Sequence, residues 1–421
     1  MTVTEQSRRG EMGHRFILGV AIAALVLRLA FSAGVPPDWE WGDAGSYELI
    51  ALNLLAGNGF SLDGVQPTRL RPPTYPVFIA TVYGLFGHER YAVVVAQSVI
   101  GSLTCLLVGF ITAQIFGRRA GWIAACIAVG YPALIYYDTR MLREGPTAFL
   151  LVLTVWVALK GRTREWTRKR AGIATGVVVA IVSACRPETI IVYAPAVLLL
   201  AGTELTLRSF ARWGAIVLVP ILIVWIPWTA RSYASFGTLS PVTSGVASAM
   251  WFGSRWAASG ADDQTPEARA ALKAETQEIY DRTDEAQVEE RFFSLFLGDI
   301  AERPGWWASM VGEKAILFWK NANGVKRTLP KIHPILPIAL NMYYYTLLAL
   351  AILAAIRYRN NATVRIFAGT IILYTAMYAV LHVRNRYRVP LLPIVFVLTS
   401  GGAVALFDLL KHAYQTRFNP S

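Results

Sequence analysis

A carboxylate can take a proton from a hydroxyl, and a guanidinium can grip a phosphate in a bidentate fork. Both kinds of group occur in this sequence at the ends of long apolar runs: Asp43, Arg69, Arg71, Arg140, Arg143, Glu144, Arg186, Glu188, Arg231, Arg384, Arg386 and Arg388. Charge beside or within such runs is costly unless it pairs, lines a cavity or meets a substrate. An arginine cluster of this kind suits an anion.

Each candidate has a plain structural reading beside the chemical one. Asp43 precedes a stretch of helical periodicity, Ala44–Ala56, so it is either an N-cap or a general base. Arg71 stands beside Pro72-Pro73, which stiffen the chain; it either meets lipid headgroups or is a positioned phosphate ligand. Arg386 and Arg388, at the mouth of the last apolar run, either snorkel to the interface or hold phosphate. Glu144 and Asp138 flank the start of another run, where a carboxylate suits a helix N-terminus or a bound sugar. Arg186 and Glu188 are spaced for a local ion pair or substrate contact, and Arg231 for an interfacial anchor or substrate contact. Arg28, in the middle of the first run, is expected to pair inside the bundle, and His333 to lie at an interface. No His/Asp/Glu spacing is a metal motif; a divalent ion bridging Asp43, Glu144 and phosphate is allowed but not required. The three cysteines read as small core residues.

The elements that must position these groups are membrane helices. Of 421 residues, 55% are hydrophobic and 16% charged, well below the roughly 25% charged residues of soluble domains. The fold class expected is an all-α polytopic bundle of about ten transmembrane helices with juxtamembrane helices on the outer face. The runs fall near 16–34, 91–116, 120–137, 145–160, 171–185, 189–202, 213–230, 334–356, 365–382 and 389–409. The first is read as a retained helix rather than a cleaved signal, because Arg28 interrupts it and Val35-Pro36-Pro37 follows. The net charge of +13 does not imply nucleic acid, since the basic residues gather in short loops: Arg118–Arg119, Lys160–Arg170 and Arg357–Arg365. That is the positive-inside pattern, which puts both termini in the cytoplasm and the other charges on the outer face of a plasma (inner) membrane. Residues 262–290 hold ten acidic against three basic residues, which suits an outer location. The chain divides into residues 1–230 with a first outer loop at 35–90, an outer segment at 231–332 carrying an amphipathic helix, and three last helices at 333–421.

Certain local sequences recur in a telling order. Trp41-Gly-Asp43-Ala-Gly-Ser-Tyr47 leads to Asn53, Gly57-Asn-Gly-Phe60 and Arg71-Pro-Pro-Thr-Tyr75-Pro76. Leu142-Arg-Glu144, Arg186-Pro187, Pro227-Trp228-Thr-Ala-Arg231-Ser-Tyr233 and Arg386-Tyr387-Arg388-Val-Pro390 follow. In this order the chain, from residue 28 to about 395, resembles GT-C glycosyltransferases of the protein O-mannosyltransferase, Rgt and aminoarabinose-transferase type. The resemblance implies transfer of a sugar from a polyprenyl-phosphate donor to a glycan, lipid or protein acceptor outside the membrane, with inversion. It implies Asp43 as the base and Arg71 as a ligand of the donor phosphate, which Arg386 and Arg388, by their place at the mouth of the last run, are expected to hold as well. Glu144, Asp138, Arg186, Arg231 and Tyr75 become the substrate-binding candidates. Many relatives carry Asp-Glu where this chain has Asp43-Ala44. The rival readings are a polyprenyl-lipid transporter or flippase and a non-catalytic carrier-lipid-binding protein. A transporter is expected to show repeats and charges along a full crossing path, whereas these charges gather on one face.

Overall fold

The computed structural model describes residues 13–37, 39, 43–202, 206–239, 245–255, 270, 273–279, 287–320 and 335–418. Trp41 and His333 lie outside the described residues. The helices, in chain order, are α1 (His14–Gly34), α2 (Ala44–Leu55), α3 (Thr74–Phe86), α4 (Arg90–Phe116), α5 (Arg118–Gly130) and α6 (Pro132–Asp138). Then come α7 (Glu144–Arg162), α8 (Arg168–Cys185), a 3-10 turn (Pro187–Val192), α9 (Tyr193–Ala201) and α10 (Leu207–Phe236). Next are α11 (Val246–Arg255), α12 (Val288–Glu302) and α13 (Pro304–Trp319). The chain then forms α14 (Leu336–Arg357), α15 (Ala362–Val380), a second 3-10 turn (Asn385–Leu391) and α16 (Leu392–Phe418). Helices dominate because hydrocarbon offers the backbone no hydrogen bonds, so each spanning segment must satisfy its own.

All ten expected runs are helical. Among the described residues, seven helices are long and apolar enough to span a membrane, or eight if α5 and α6 count as one bent span. That pair bends by 55° at Tyr131-Pro132, where proline has no N–H to continue the ladder. The protein is therefore a multi-pass membrane protein.

α1 shows how the bundle takes a charge into its interior. Phe16, Val20, Ala24, Arg28 and Ser32 recur every four residues and form its buried stripe. Leu18, Ile22 and Val26 point away from the bundle. Elsewhere small residues let backbones approach: a Cβ on Gly402 of α16 would overlap the Leu350 carbonyl oxygen on α14. Gly402→Val is expected to lower the melting temperature of the detergent-solubilised protein, at a cost of about 1–3 kcal/mol for overpacking. An unchanged melting curve would contradict this close packing.

Helix direction sorts the two ends of the bundle. α7 starts at Glu144 and runs 19 residues, roughly 28 Å, to the basic segment 160–170. α8 returns from Arg168 to Arg186. The far end thus carries Lys160–Arg170, and the near end collects Asp43, Glu144, Arg186 and the turn bearing Arg386.

Candidate active site

Asp43 ends the link from α1 and adjoins the first turn of α2. Its side chain makes no capping hydrogen bond, which sets aside the N-cap reading. Instead each carboxylate oxygen meets a different arginine: Oδ1 lies 2.8 Å from Arg71 Nη2, and Oδ2 lies 2.9 Å from Arg386 Nη2. Arg71 also donates from Nε to the Ser46 hydroxyl at 2.8 Å and lies over the Tyr47 ring. Burial pushes the Asp43 carboxyl up, yet the Arg386, Arg71 and Arg143 charges outweigh burial and hold it down at about 2.

Arg386 joins this carboxylate to a second one. Its Nε lies 3.6 Å from Glu144 Oε1, and Arg186 Nη1 lies 3.9 Å from the same oxygen. These are ion-pair distances, too long for hydrogen bonds. Arg186 is fully buried; its Nε donates to Glu188 Oε1 at 2.7 Å, and its guanidinium lies over the Tyr387 ring. Glu144 Oε2, Arg186 Nη1 and Nη2, Arg386 Nε and the Tyr47 hydroxyl are buried without a hydrogen-bond partner. Buried polar atoms are nearly always satisfied, so five such atoms together describe a site shaped for a polar ligand.

The other expected site residues have different surroundings. Asp138 is taken by Arg28: Nε donates to its Oδ2 at 2.7 Å, and both side chains are buried. A Cβ on Gly101 would overlap Asp138, so this contact requires glycine in α4. Tyr75 donates its hydroxyl to Gln97 and packs edge-on against Tyr47, supporting the ring beneath Arg71. Arg231 donates to the Thr68 and Phe60 carbonyls, holding the segment after α2 against α10. Arg388 donates to the Phe318 carbonyl on α13 and lies over the Tyr344 ring on α14.

Three contributors had no role of their own in the sequence reading, although Arg143 stood in the charge cluster and Tyr47 in a quoted motif. Tyr47 brings a buried hydroxyl to the cluster. Arg143 donates to the Cys185 carbonyl at 3.1 Å and adds its charge to the field on Asp43. Tyr378 donates to Glu188 at 2.8 Å and stacks on Tyr387, fixing the platform under Arg186. Among the described residues, no group of three or more His, Cys, Asp or Glu side chains is placed to hold a metal ion.

Residues 70–229 match the family described as dolichyl-phosphate-mannose-protein mannosyltransferase. No curated protein matches the chain at a significant level. Among solved structures, the archaeal oligosaccharyltransferase AglB from Archaeoglobus fulgidus, in complex with an inhibitory peptide and a dolichol-phosphate, superposes with a TM-score of 0.55 at 13% identity. The superposition covers 96% of this chain and 52% of that one. The Archaeoglobus fulgidus oligosaccharyltransferase tethered to an acceptor peptide containing the NVT sequon gives 0.56 at 12% identity, covering 96% and 51%. This chain thus spans about half the length of the chain in each of those two structures. ArnT from Cupriavidus metallidurans bound to undecaprenyl phosphate gives 0.45 at 14% identity, covering 93% and 78%. The chain has the GT-C fold of membrane glycosyltransferases, and over residues 70–229 it carries the pattern of the dolichyl-phosphate-mannose-protein mannosyltransferase family.

Proposed function

We propose that the protein is a glycosyltransferase that moves a hexosyl or pentosyl group from a polyprenyl-phosphate donor to an acceptor hydroxyl on the outer face of the membrane. The observation that carries this reading is the Arg71–Asp43–Arg386 arrangement, beside the unpartnered atoms of Glu144 and Arg186. The donor phosphodiester takes the two guanidinium groups, which then stabilise the charge that grows as its bond to the sugar breaks. Asp43 accepts the proton of the acceptor hydroxyl, the oxygen attacks the anomeric carbon, and polyprenyl phosphate departs with the bonding electrons. The configuration inverts in this single displacement. Glu144 Oε2 and the Arg186 nitrogens pair with the sugar hydroxyl groups. Residues 231–332 select the acceptor, which is a glycan, a lipid or a protein. The outer location is supported by the basic loops, which lie at the opposite end of α7 and α8 from Glu144 and Arg186.

The test is to incubate the purified protein with a panel of polyprenyl-phosphate sugars and candidate acceptors and to read products by mass spectrometry. Transfer from one donor is expected, and Arg386→Ala is expected to lower its rate by about 100-fold or more through lost charge stabilisation. Lipid movement across vesicles without sugar transfer on any donor would refute the reading.

A further inference from the structure

Lys314 lies on α13 and is fully buried. Its Nζ donates to three backbone carbonyls: Gly253 of α11 at 3.1 Å, Val380 of α15 at 3.3 Å, and Leu381 at 2.8 Å. An ammonium has three N–H donors, and these three acceptors use them all. Burial pulls the lysine down to about 8, so the cation is held there against a desolvation cost. A Cβ on Gly253 would overlap the Leu381 carbonyl oxygen, so α11 also presses directly on the point where the chain leaves α15.

One turn along α13, the Phe318 carbonyl accepts the hydrogen bond from Arg388. Lys314 and Phe318 are four residues apart and share a face of that helix. The same face therefore grips the chain on both sides of Arg386, at residues 380–381 and again at 388. The Phe318 ring stacks on Tyr378, and Tyr378 stacks on Tyr387, which fills the space between the two grips. Arg386 emerges from this clamped stretch to reach Asp43 at 2.9 Å and Glu144 at 3.6 Å. The charged residues along the stretch, Arg384, Arg386 and Arg388, are all cationic, and Arg384 donates to His382 at 2.9 Å. Burial and the Arg384, Lys314 and Arg386 charges push the His382 imidazole well below its ordinary range, so it stays neutral and accepts that bond.

We infer that Lys314 is a positioning residue: by fixing the turn after α15 it sets where Arg386 meets Asp43 and the donor phosphate, coupling the α11–α13 segment to the site. This inference rests on the carrier-lipid reading of the Arg71–Arg386 pair. It assigns the segment between α10 and α14 a part in the chemistry beyond acceptor choice.

The experiment measures equilibrium binding of undecaprenyl phosphate to the full-length protein in detergent, for wild type, Lys314→Met, Lys314→Gln, Arg386→Ala and Lys314→Met with Arg386→Ala. Thermal melting of each variant confirms that folded protein is compared, and Lys314→Gln keeps two donors if the methionine variant is poorly folded. Lys314→Met is expected to weaken binding about tenfold and Arg386→Ala at least as much. The double variant should bind no more weakly than Arg386→Ala alone, because Lys314 acts through that arginine. A lysine that only supports the fold would give effects that multiply in the double variant, which would overturn the inference. Wild-type affinity in both folded single lysine variants would also overturn it. If the wild type itself fails to bind undecaprenyl phosphate, the carrier-lipid reading falls, and the role of Lys314 falls with it.

Discussion

Asp43→Asn is expected to abolish sugar transfer, by about a thousandfold, while tightening the binding of polyprenyl phosphate. Loss of transfer follows from the removal of the carboxylate base that Arg71 and Arg386 flank, and general-base contributions run to about 10²–10⁴. The tighter binding follows from competition. Both oxygens of Asp43 are engaged, one by Arg71 and one by Arg386. A phosphate that takes those guanidinium groups must first displace the carboxylate. Asparagine keeps the shape but carries no charge, so the phosphate meets two cations with one anion fewer beside them. Gaining about 1.4 kcal/mol from that change corresponds to a tenfold lower Kd. The same competition bears on base strength. The arginines that hold the Asp43 carboxyl at about 2 also weaken it as a base, and a donor that draws those arginines away is expected to raise it. Transfer rates and undecaprenyl phosphate binding measured on the same preparation separate these effects. An asparagine variant that binds the carrier more weakly than wild type would contradict the competition, and one that transfers normally would remove Asp43 from the chemistry.

Much of this site was legible because its parts sit at the ends of apolar runs. Topology alone brings Asp43, Glu144, Arg186 and Arg386 to one end of the bundle, although Asp43 and Arg386 are 343 residues apart. Orientation within that end was not legible. Arg386 and Arg388 look equivalent in sequence, yet they share a 3-10 turn, where two residues are separated by about 240° around the axis. One faces the carboxylates; the other donates to the carbonyl of Phe318. Lys314 was invisible for a related reason: its partners are backbone carbonyls, which every residue possesses and no side-chain pattern encodes. Asp138 had the composition of a site residue, and only packing shows that Arg28, on another helix, takes its carboxylate. The span count came out lower than ten because the Pro187–Val192 turn and α9 are short, α5 and α6 break at a proline, and α8 spends its first turn on Arg168, Lys169 and Arg170.

The buried Arg28–Asp138 pair carries the second large expectation. Arg28→Met should destabilise the protein by about 3–5 kcal/mol, because it leaves a carboxylate inside the bundle without its cation. Arg28 is fully buried on a membrane helix, and its guanidinium also donates to the Ala24 carbonyl at 3.1 Å. Asp138 is 3% exposed. The loss should extend to the site, since Asp138 lies at the start of the link that delivers Glu144. Gln97 donates to the carbonyls of Asp138 and Arg140, at 3.3 and 2.7 Å, and accepts from Tyr75, which packs against Tyr47. Slackening at Asp138 therefore reaches both Glu144 and the ring under Arg71. Adding Asp138→Asn to Arg28→Met should restore much of the melting temperature, because the amide removes the stranded charge while keeping the carboxylate's shape beside Gly101 and Gly145. The pair of melting curves, taken in one detergent at one pH, checks the argument. A single variant as stable as wild type would show that the buried charge pays no penalty when unpaired. A double variant no better than the single would place the loss in the packing of Arg28 rather than in its charge.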